Sequence, residues 1–199
     1  MTYTELVKQA MKTELDAIQQ MIDSQLMDYE TVCKAIVACE GKVVFMGVGK
    51  SGHIGKKLAA TFSSTGTPSF FVHSTEAVHG DLGMIENKDI VVLISNSGST
   101  REVLDTLPTL EKIGCQTIAL TSDSNSELAK RCTLKITYPK HTEADHLKLA
   151  PTASSTMTLV LGDAIACAVS EAKAFKKEDF HLYHPAGALG KLLKEEAIS

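Results

Sequence analysis

Four hydroxyl side chains crowd into one six-residue stretch, Ser95 to Thr100. The apolar run before it, 90–94, predicts a buried parallel strand, and the spacing of apolar residues over 101–113 predicts a helix. Where a strand end meets a helix start, free backbone N–H groups and the positive end of the helix dipole attract anions. A helix cap needs one hydroxyl, so four of them around Gly98 predict an oxyanion site, and phosphate is the anion we expect. The predicted contacts are Ser95, Asn96, Ser97, Ser99 and Thr100.

A second glycine-rich loop begins at Gly47, directly after another predicted strand. Its Gly-Lys-Ser resembles the end of an ATP-binding P-loop, but the first glycine of that motif would fall at Val44, inside the strand. It also matches the dinucleotide pattern G-x-G-x-x-G, yet the next strand ends in His73 and not in an acidic residue. We therefore interpret the loop as a tight turn that presents Lys50 and Ser51 beside the segment 95–100, which we call the predicted phosphate loop.

Composition limits the class of protein. The chain has 199 residues, 44% of them hydrophobic and 22% charged, with a net charge of −4, which is typical of one soluble globular domain. Basic residues form no stripe, which argues against binding to nucleic acid or to a membrane surface. Five cysteines without a C-x-x-C pattern predict buried, reduced thiols. No signal peptide and no membrane-spanning run is predicted, so we expect a cytoplasmic protein.

Predicted strands and helices alternate along the chain. Helices are expected at 4–27, 29–39, 49–64, 101–113, 126–131 and 153–172, strands at 42–46, 69–72, 89–94, 116–120 and 134–137, and short helical turns at 177–193. This order predicts an α/β fold, a three-layer α/β/α sandwich around a five-stranded parallel sheet. Residues 1–40 are expected to be helices of the same domain, whose main body is 41–199. Ligands of such sheets bind at the carboxyl ends of the strands, where both glycine-rich loops lie.

Several blocks of sequence resemble the sugar isomerase (SIS) domain family. They include Gly49-Lys50-Ser51-Gly52, Ser95-Asn96-Ser97-Gly98 and His79-Gly80-Asp81-Leu82. More narrowly, the blocks 47–55, 64–73, 76–84, 149–156 and 184–190 look like arabinose-5-phosphate isomerases, in the same order. The resemblance implies a flavodoxin-like SIS domain that interconverts D-arabinose 5-phosphate and D-ribulose 5-phosphate through an enediol. It also implies substrate contacts at Gly66 and Thr67.

The resemblance assigns catalytic roles that the residues alone leave open. Taken alone, Lys50 is typical of a solvated strand end, Glu102 of an acidic residue that stabilises a helix N-terminus, and Glu143 of a polar surface loop. The resemblance implies that Lys50 contacts the ligand or the enediolate. It makes Glu102 and Glu143 candidate bases. His79 and His184 become candidates for opening the sugar ring, and His79 is one that a neighbouring subunit supplies in related enzymes. Whether the base is Glu143, Glu102 or a histidine stays open here.

No redox or metal cofactor is expected. The histidines show neither the H-E-x-x-H spacing nor cysteine partners of a zinc site. By resemblance, zinc captured by His73 would inhibit the enzyme. Two alternatives remain: an isomerase of heptose or hexulose phosphates on the same domain, and a non-catalytic sugar-phosphate sensor.

The resemblance also predicts how the protein is assembled and used. We expect a homotetramer, a dimer of dimers, with the long first helix and the apolar 153–172 helix as local support for contacts between subunits. Many relatives continue into a tandem CBS pair, and we expect a domain without that pair here. The isomerase would feed 3-deoxy-D-manno-octulosonate (Kdo) synthesis, and so lipopolysaccharide or capsule.

Overall fold

A computed structural model describes residues 1–24 and 28–185. Five parallel strands form one sheet in the order β2-β1-β3-β4-β5. The strands are β1 (Val43–Gly47), β2 (Ser69–His73), β3 (Ile90–Ile94), β4 (Gln116–Thr121) and β5 (Leu134–Thr137). The helices are α1 (Tyr3–Asp23), α2 (Tyr29–Val37), α3 (Gly49–Ser64), α4 (Ser74–Ala77), α5 (Arg101–Leu104), α6 (Leu107–Ile113), α7 (Glu127–Arg131), α8 (Ala153–Ala172) and α9 (Lys177–Tyr183), with a 3₁₀ helix at Asp81–Met84. The predicted five-stranded α/β architecture is confirmed.

The central strands are buried on both faces, which explains their continuous apolar sequences. Successive side chains alternate between the faces. In β1, Val43 and Phe45 join the core formed with α1, α2, α3 and α8, whereas Val44 and Met46 join the core formed with α4 to α7. The helices therefore make two outer layers, and the sheet lies between them.

The helix α8 meets the length and composition of a membrane span, contrary to the expectation from the sequence. In the structure half of its apolar window is buried against the protein. Met157, Leu161 and Val169 are among its buried side chains, and α8 packs on α1, α2 and α3. The core of a folded domain therefore accounts for its apolar composition.

Two predicted helices differ from the structure. The segment 101–113 is split into α5 and α6, because Pro108 has no N–H to donate to the carbonyl group of Leu104 and breaks the ladder. The first helix ends at Asp23, four residues before the predicted end, and 25–27 lie outside the described residues. The turns predicted at 177–193 are represented by α9, and 186–199 lie outside the described residues.

Cysteine burial matches the prediction only in part. All five cysteines are free thiols, and Cys115 is buried. Cys167, however, is exposed on α8. An apolar helical pattern places a thiol on a helix but does not say which face it occupies.

The strand order changes direction between β1 and β3. From β1 the chain passes to β2 on one side, whereas from β3 it continues through β4 to β5 on the other. The loops after β1 and β3 consequently leave the sheet at a topological switch point, where a crevice opens at the carboxyl edge. These two loops are the glycine-rich segments that the sequence singled out.

Candidate active site

Ser95 builds the predicted phosphate loop and does not line its surface. Its side chain is 2% exposed. Its hydroxyl lies 2.7 Å from the hydroxyl of Thr100 and accepts a hydrogen bond from the Gly98 N–H at 3.0 Å. These bonds close the turn, so Ser95 acts within one chain as the scaffold for the residues that follow it.

Asn96 is held by several bonds at the ends of β3 and β4. Its carbonyl oxygen accepts hydrogen bonds from the Ser122 N–H, the Ser122 hydroxyl and the Thr121 hydroxyl, at 2.9, 2.8 and 3.1 Å. Its side-chain Oδ1 accepts from the buried Tyr138 hydroxyl at 3.1 Å. The amide is thereby fixed at the carboxyl edge of the sheet.

The remaining donors of this loop face outward. Ser97 and Ser99 are exposed, with 2.9 Å between their hydroxyl oxygens. Among the described residues, the N–H groups of Ser97 and Thr100 have no acceptor. The helix α5 has only four residues, so its dipole contributes little to anion binding. The individual N–H and hydroxyl donors are what make the loop suitable for an anion.

The loop after β1 places the Lys50 side chain, a cation, on the other side of the switch point. Gly49 has a positive φ of 55°, which a glycine adopts without strain, and it opens the 16-residue helix α3. Within the described part of the chain no side chain caps this helix, so its first N–H groups, beside Ser51, have no acceptor there. Lys50 is exposed in the first turn. Gly47 and Gly52 lie so close that a Cβ on Gly52 would be 3.2 Å from the Gly47 oxygen, which fixes the strand-to-helix turn.

The backbone conformation at Gly98 predicts that a side chain there would destabilise the protein. Gly98 has a φ of 63°, and a Cβ built there would overlap the Ser126 hydroxyl oxygen. Gly114 has a φ of 78° but open space around it. We expect G98A to lower the free energy of unfolding by about 2 to 4 kcal/mol, from left-handed strain plus the clash. G114A should cost only the strain, about 1 to 2 kcal/mol. Urea unfolding measures both, and equal losses would contradict the clash.

Glu143 lies in the loop that follows β5 and faces the same edge of the sheet. One of its oxygens, Oε2, accepts hydrogen bonds from the N–H groups of Thr152 and Ser154, at 2.8 and 3.2 Å, and from the Thr152 hydroxyl at 3.1 Å. This oxygen caps the start of α8. A cavity of about 470 Å³ is lined by Glu143 together with Asn96 and Ser122. The loop therefore folds over the strand ends.

The same contacts set the ionisation of Glu143. Burial would raise its pKa, but the hydrogen bonds from Ser154 and Thr152 outweigh burial, and the pKa is lowered overall. Glu143 is thus a carboxylate at neutral pH. Its Oε2 is taken by the helix, and Oε1 is the oxygen left for chemistry.

Three other predicted residues are less constrained. Glu102 is exposed in the first turn of α5, one turn after Ser99. His79 is exposed after α4. His73 ends β2, and its Nδ1 accepts a hydrogen bond from the Thr75 N–H at 3.4 Å. All three stand at the carboxyl side of the sheet, because each follows or ends a strand there.

The structure does not bring Gly66, Thr67 and His184 to this edge within one chain. Gly66 and Thr67 precede β2, so they lie at the amino end of the sheet, a strand length or about 16 Å away. Lys173 donates a hydrogen bond to the Thr67 hydroxyl at 3.2 Å, and the ring of Phe175 covers Gly66.

His184 belongs to the same amino-end cluster. Its ring stacks on Phe180 with 4.0 Å between centroids, and Phe180 packs against the Phe175 that covers Gly66. The family resemblance implies one site for these residues, and a resemblance in sequence does not say at which edge of the sheet, or in which subunit, each of them lies.

In the described ranges, no three histidine, cysteine or acidic side chains converge on a metal position. A zinc ion at His73 would therefore need further ligands from substrate or from another chain.

Two buried residues beside Glu143 were not predicted as site residues. Tyr138 is 1% exposed, and burial raises its pKa to about 12, so its hydroxyl stays protonated. The side chain of His141 is only 4% exposed, and its Nε2 lies 3.5 Å from Glu143 Oε1. From the sequence, His141 is only one of the histidines that lack the spacing of a zinc site. The signal that the sequence does carry is a histidine two residues before a predicted catalytic carboxylate, in a loop with turn-forming residues.

Comparison with known proteins agrees with this geometry. The family model described as "SIS domain" matches residues 36–168. The chain belongs to the SIS domain family. Arabinose 5-phosphate isomerase KdsD of Pseudomonas aeruginosa is 49% identical over 187 residues, and KdsD of Escherichia coli K12 is 45% identical over 186 residues. These matches cover 93% and 94% of this chain but 57% of each relative, so this SIS chain spans little more than half their length.

A solved structure of similar size is also related to this SIS chain. It is an E. coli CFT073 protein in complex with arabinose 5-phosphate, 55% identical, with a TM-score of 0.90. The match covers 93% of this chain and 100% of that one. The similarity therefore extends over the full length of that solved chain.

Proposed function

We propose that this SIS domain is an aldose–ketose isomerase that interconverts D-arabinose 5-phosphate and D-ribulose 5-phosphate. The observation that carries the proposal is one cleft in which an ionised carboxylate, Glu143, stands beside Asn96 of the phosphate loop. The identity of 55% to a protein bound to arabinose 5-phosphate, and of 45–49% to KdsD enzymes, supports the choice of a pentose phosphate.

The chemistry follows from these groups. The outward donors of Ser97, Ser99 and Thr100 bind the phosphate, and the sugar extends toward Glu143. In the aldose, Oε1 of Glu143 takes the proton from C2, the electron pair of that C–H bond forms a C1–C2 double bond, and the π pair of the C1 carbonyl group moves onto O1 to give an enediolate. The O2 hydroxyl proton passes to O1, and as the carbon-bound proton returns from Glu143 to C1 the C2 carbonyl group forms, which gives the ketose. Lys50 stabilises the negative oxygen that develops, and no redox cofactor takes part.

The direct test is turnover in D₂O. Starting from ribulose 5-phosphate, we expect the arabinose 5-phosphate formed to carry deuterium at C2, which NMR measures. Faster turnover of a hexulose or heptose phosphate would identify a different SIS isomerase. Binding of arabinose 5-phosphate without deuterium incorporation would identify a sensor and contradict the proposal.

The exposed face of α1 and the position of His184 support a homo-oligomer. Apolar side chains of α1 stay exposed at Tyr3, Val7, Met11, Leu15 and Ile22, by 56 to 89%. These residues recur at helical spacing and form one stripe. A dimer of dimers would bury this stripe and bring Gly66, Thr67 and His184 of one subunit to the carboxyl edge of another.

Mixing two inactive variants tests this arrangement. K50A and H184A each remove one half of a shared site, so a hetero-dimer holds one doubly altered site and one intact site. After refolding together at equal amounts, we expect about a quarter of wild-type activity. K50A mixed with E143Q should give no such recovery, because Lys50 and Glu143 lie on the same edge of one subunit and every site then keeps one of the two changes. No recovery in the first mixture would place His184 in its own subunit's site or outside any site.

Zinc is expected to inhibit and no metal to be required. The His73 ring at the carboxyl edge is partly exposed, and its Nε2 has no hydrogen-bond partner among the described residues, so it offers one ligand; bound substrate or another subunit would supply others. We expect EDTA to leave turnover unchanged, micromolar zinc to reduce it, and H73A to relieve the reduction. Loss of activity in EDTA, restored by one added metal, would contradict this.

The product chemistry suits Kdo synthesis. Arabinose 5-phosphate carries the five carbons to which a three-carbon unit is joined, so the isomerase would supply lipopolysaccharide or capsule synthesis in the cytoplasm. Metabolite levels in a strain lacking the gene, with arabinose 5-phosphate supplied or withheld, would test that placement.

A further inference from the structure

His141 is held in one orientation by groups that do not react. Its Nδ1 lies 3.2 Å from the carbonyl oxygen of Pro139. A carbonyl oxygen accepts and never donates, so Nδ1 carries the hydrogen of the neutral ring. The ring also packs on Tyr138, with 5.9 Å between centroids. The neutral tautomer therefore directs the lone pair of Nε2 away from Pro139.

That lone pair faces the reactive oxygen of Glu143. The Nε2–Oε1 separation of 3.5 Å is longer than a hydrogen bond, and both atoms are acceptors while His141 is neutral. Thr152 and Ser154 hold the other oxygen, so the carboxylate cannot turn away without losing the cap of α8. When His141 gains a proton, its Nε2–H becomes a donor aimed at Oε1.

We propose that His141 is a positioning residue that opens and closes the Glu143 base. Neutral His141 leaves Oε1 free to take the proton from the sugar carbon. Protonated His141 donates a charge-assisted hydrogen bond to Oε1, which lowers its basicity and removes it from proton transfer. This inference rests on the proposed isomerase function, in which Glu143 is the base.

Other charged and titratable groups line the cavities around His141. Among the described residues Glu143 is the carboxylate paired with it, and Asp16 of α1 lines a cavity together with His141. The other titratable or charged groups on the packed elements are Lys140 and Lys148, which line the cavities beside it, Asp145 and His146 farther along the loop, and neutral Tyr138 at the end of β5.

The test is the pH dependence of kcat/KM. Wild-type kcat/KM should fall on the acid side as His141 is protonated. In H141L that fall should move to lower pH by about 1 unit or more, because only the carboxylate then titrates. H141F keeps a ring against Tyr138 and replaces H141L if that variant is unstable; it should show the same shift of the acid limb. H146L removes an exposed histidine of the same loop and should keep the wild-type profile.

Two results would overturn the proposal. One is an acid limb that is unchanged in both H141L and H141F. The other is a long-range ¹H–¹⁵N spectrum, recorded where the His141 ring is neutral, that shows the ring hydrogen on Nε2 and not on Nδ1. The spectrum needs no substrate, so it still tests the pair if the protein fails to turn over pentose phosphates, a result that would refute the proposed function instead.

Discussion

E143Q is expected to lower kcat by about 10²- to 10⁴-fold while the protein stays folded. The substitution removes the negative charge and the basicity of Oε1, and it keeps an amide oxygen that can accept from the N–H groups of Thr152 and Ser154. KM should change little, because in the proposed function the phosphate is bound by the loop after β3 and not by Glu143. Steady-state kinetics with both pentose phosphates measures the effect.

Two comparisons make this result specific. D145N alters a carboxylate two residues away that accepts only from backbone N–H groups of its own loop, and it should keep most of its kcat. E102Q tests the other candidate carboxylate. If E102Q abolishes deuterium exchange at C2 and E143Q does not, Glu102 is the base and the assignment of Glu143 is wrong.

The lowered pKa of Glu143 adds a pH dependence of stability. A carboxyl group whose pKa is lower in the folded than in the unfolded protein stabilises the fold above its unfolded pKa, and that contribution disappears as pH falls through the folded value. The difference in unfolding free energy between wild type and E143Q should therefore shrink as pH drops below about 4. A difference that is constant from pH 7 to 3 would contradict the lowered pKa.

K50A is expected to reduce kcat/KM by about 10²- to 10³-fold. Lys50 is the cation in the first turn of α3, beside the phosphate loop at the switch point. Loss of a cation that contacts a developing oxyanion lowers kcat, whereas loss of a phosphate contact raises KM and leaves kcat nearly unchanged. The split between kcat and KM therefore reports which group Lys50 serves.

K56A is the matched control for this substitution. Lys56 is exposed on the same helix, and K56A should retain wild-type kinetics. K50R keeps the charge and should recover part of the loss. Equal kinetics for K50A and K56A would remove Lys50 from the site.

The sheet and its two ligand loops could be predicted because their signals are local. Five short apolar runs, bounded by glycines and polar residues, predicted the strands, and the glycine pattern after β1 and β3 marked the loops. The break at Pro108 is equally local, although the apolar spacing over 101–113 predicts one continuous helix across the missing N–H.

What could not be predicted depends on contacts between distant segments. That Glu143 caps α8 requires Thr152 and Ser154, and that Ser95 is structural requires its burial beside Thr100. The position of Gly66 at the amino edge follows from the direction of β2. The role of His141 depends on which nitrogen meets Pro139, a distance that periodicity does not encode.

The packing of α8 also sets an order for synthesis on the ribosome. Among the described residues, the face of the sheet covered by α4 to α7 is built from segments that end at residue 132. The opposite face cannot close until α8 has emerged, since α1, α2 and α3 all pack on it. The helices α1 and α2 are made first and therefore complete their packing only after α8 has been made.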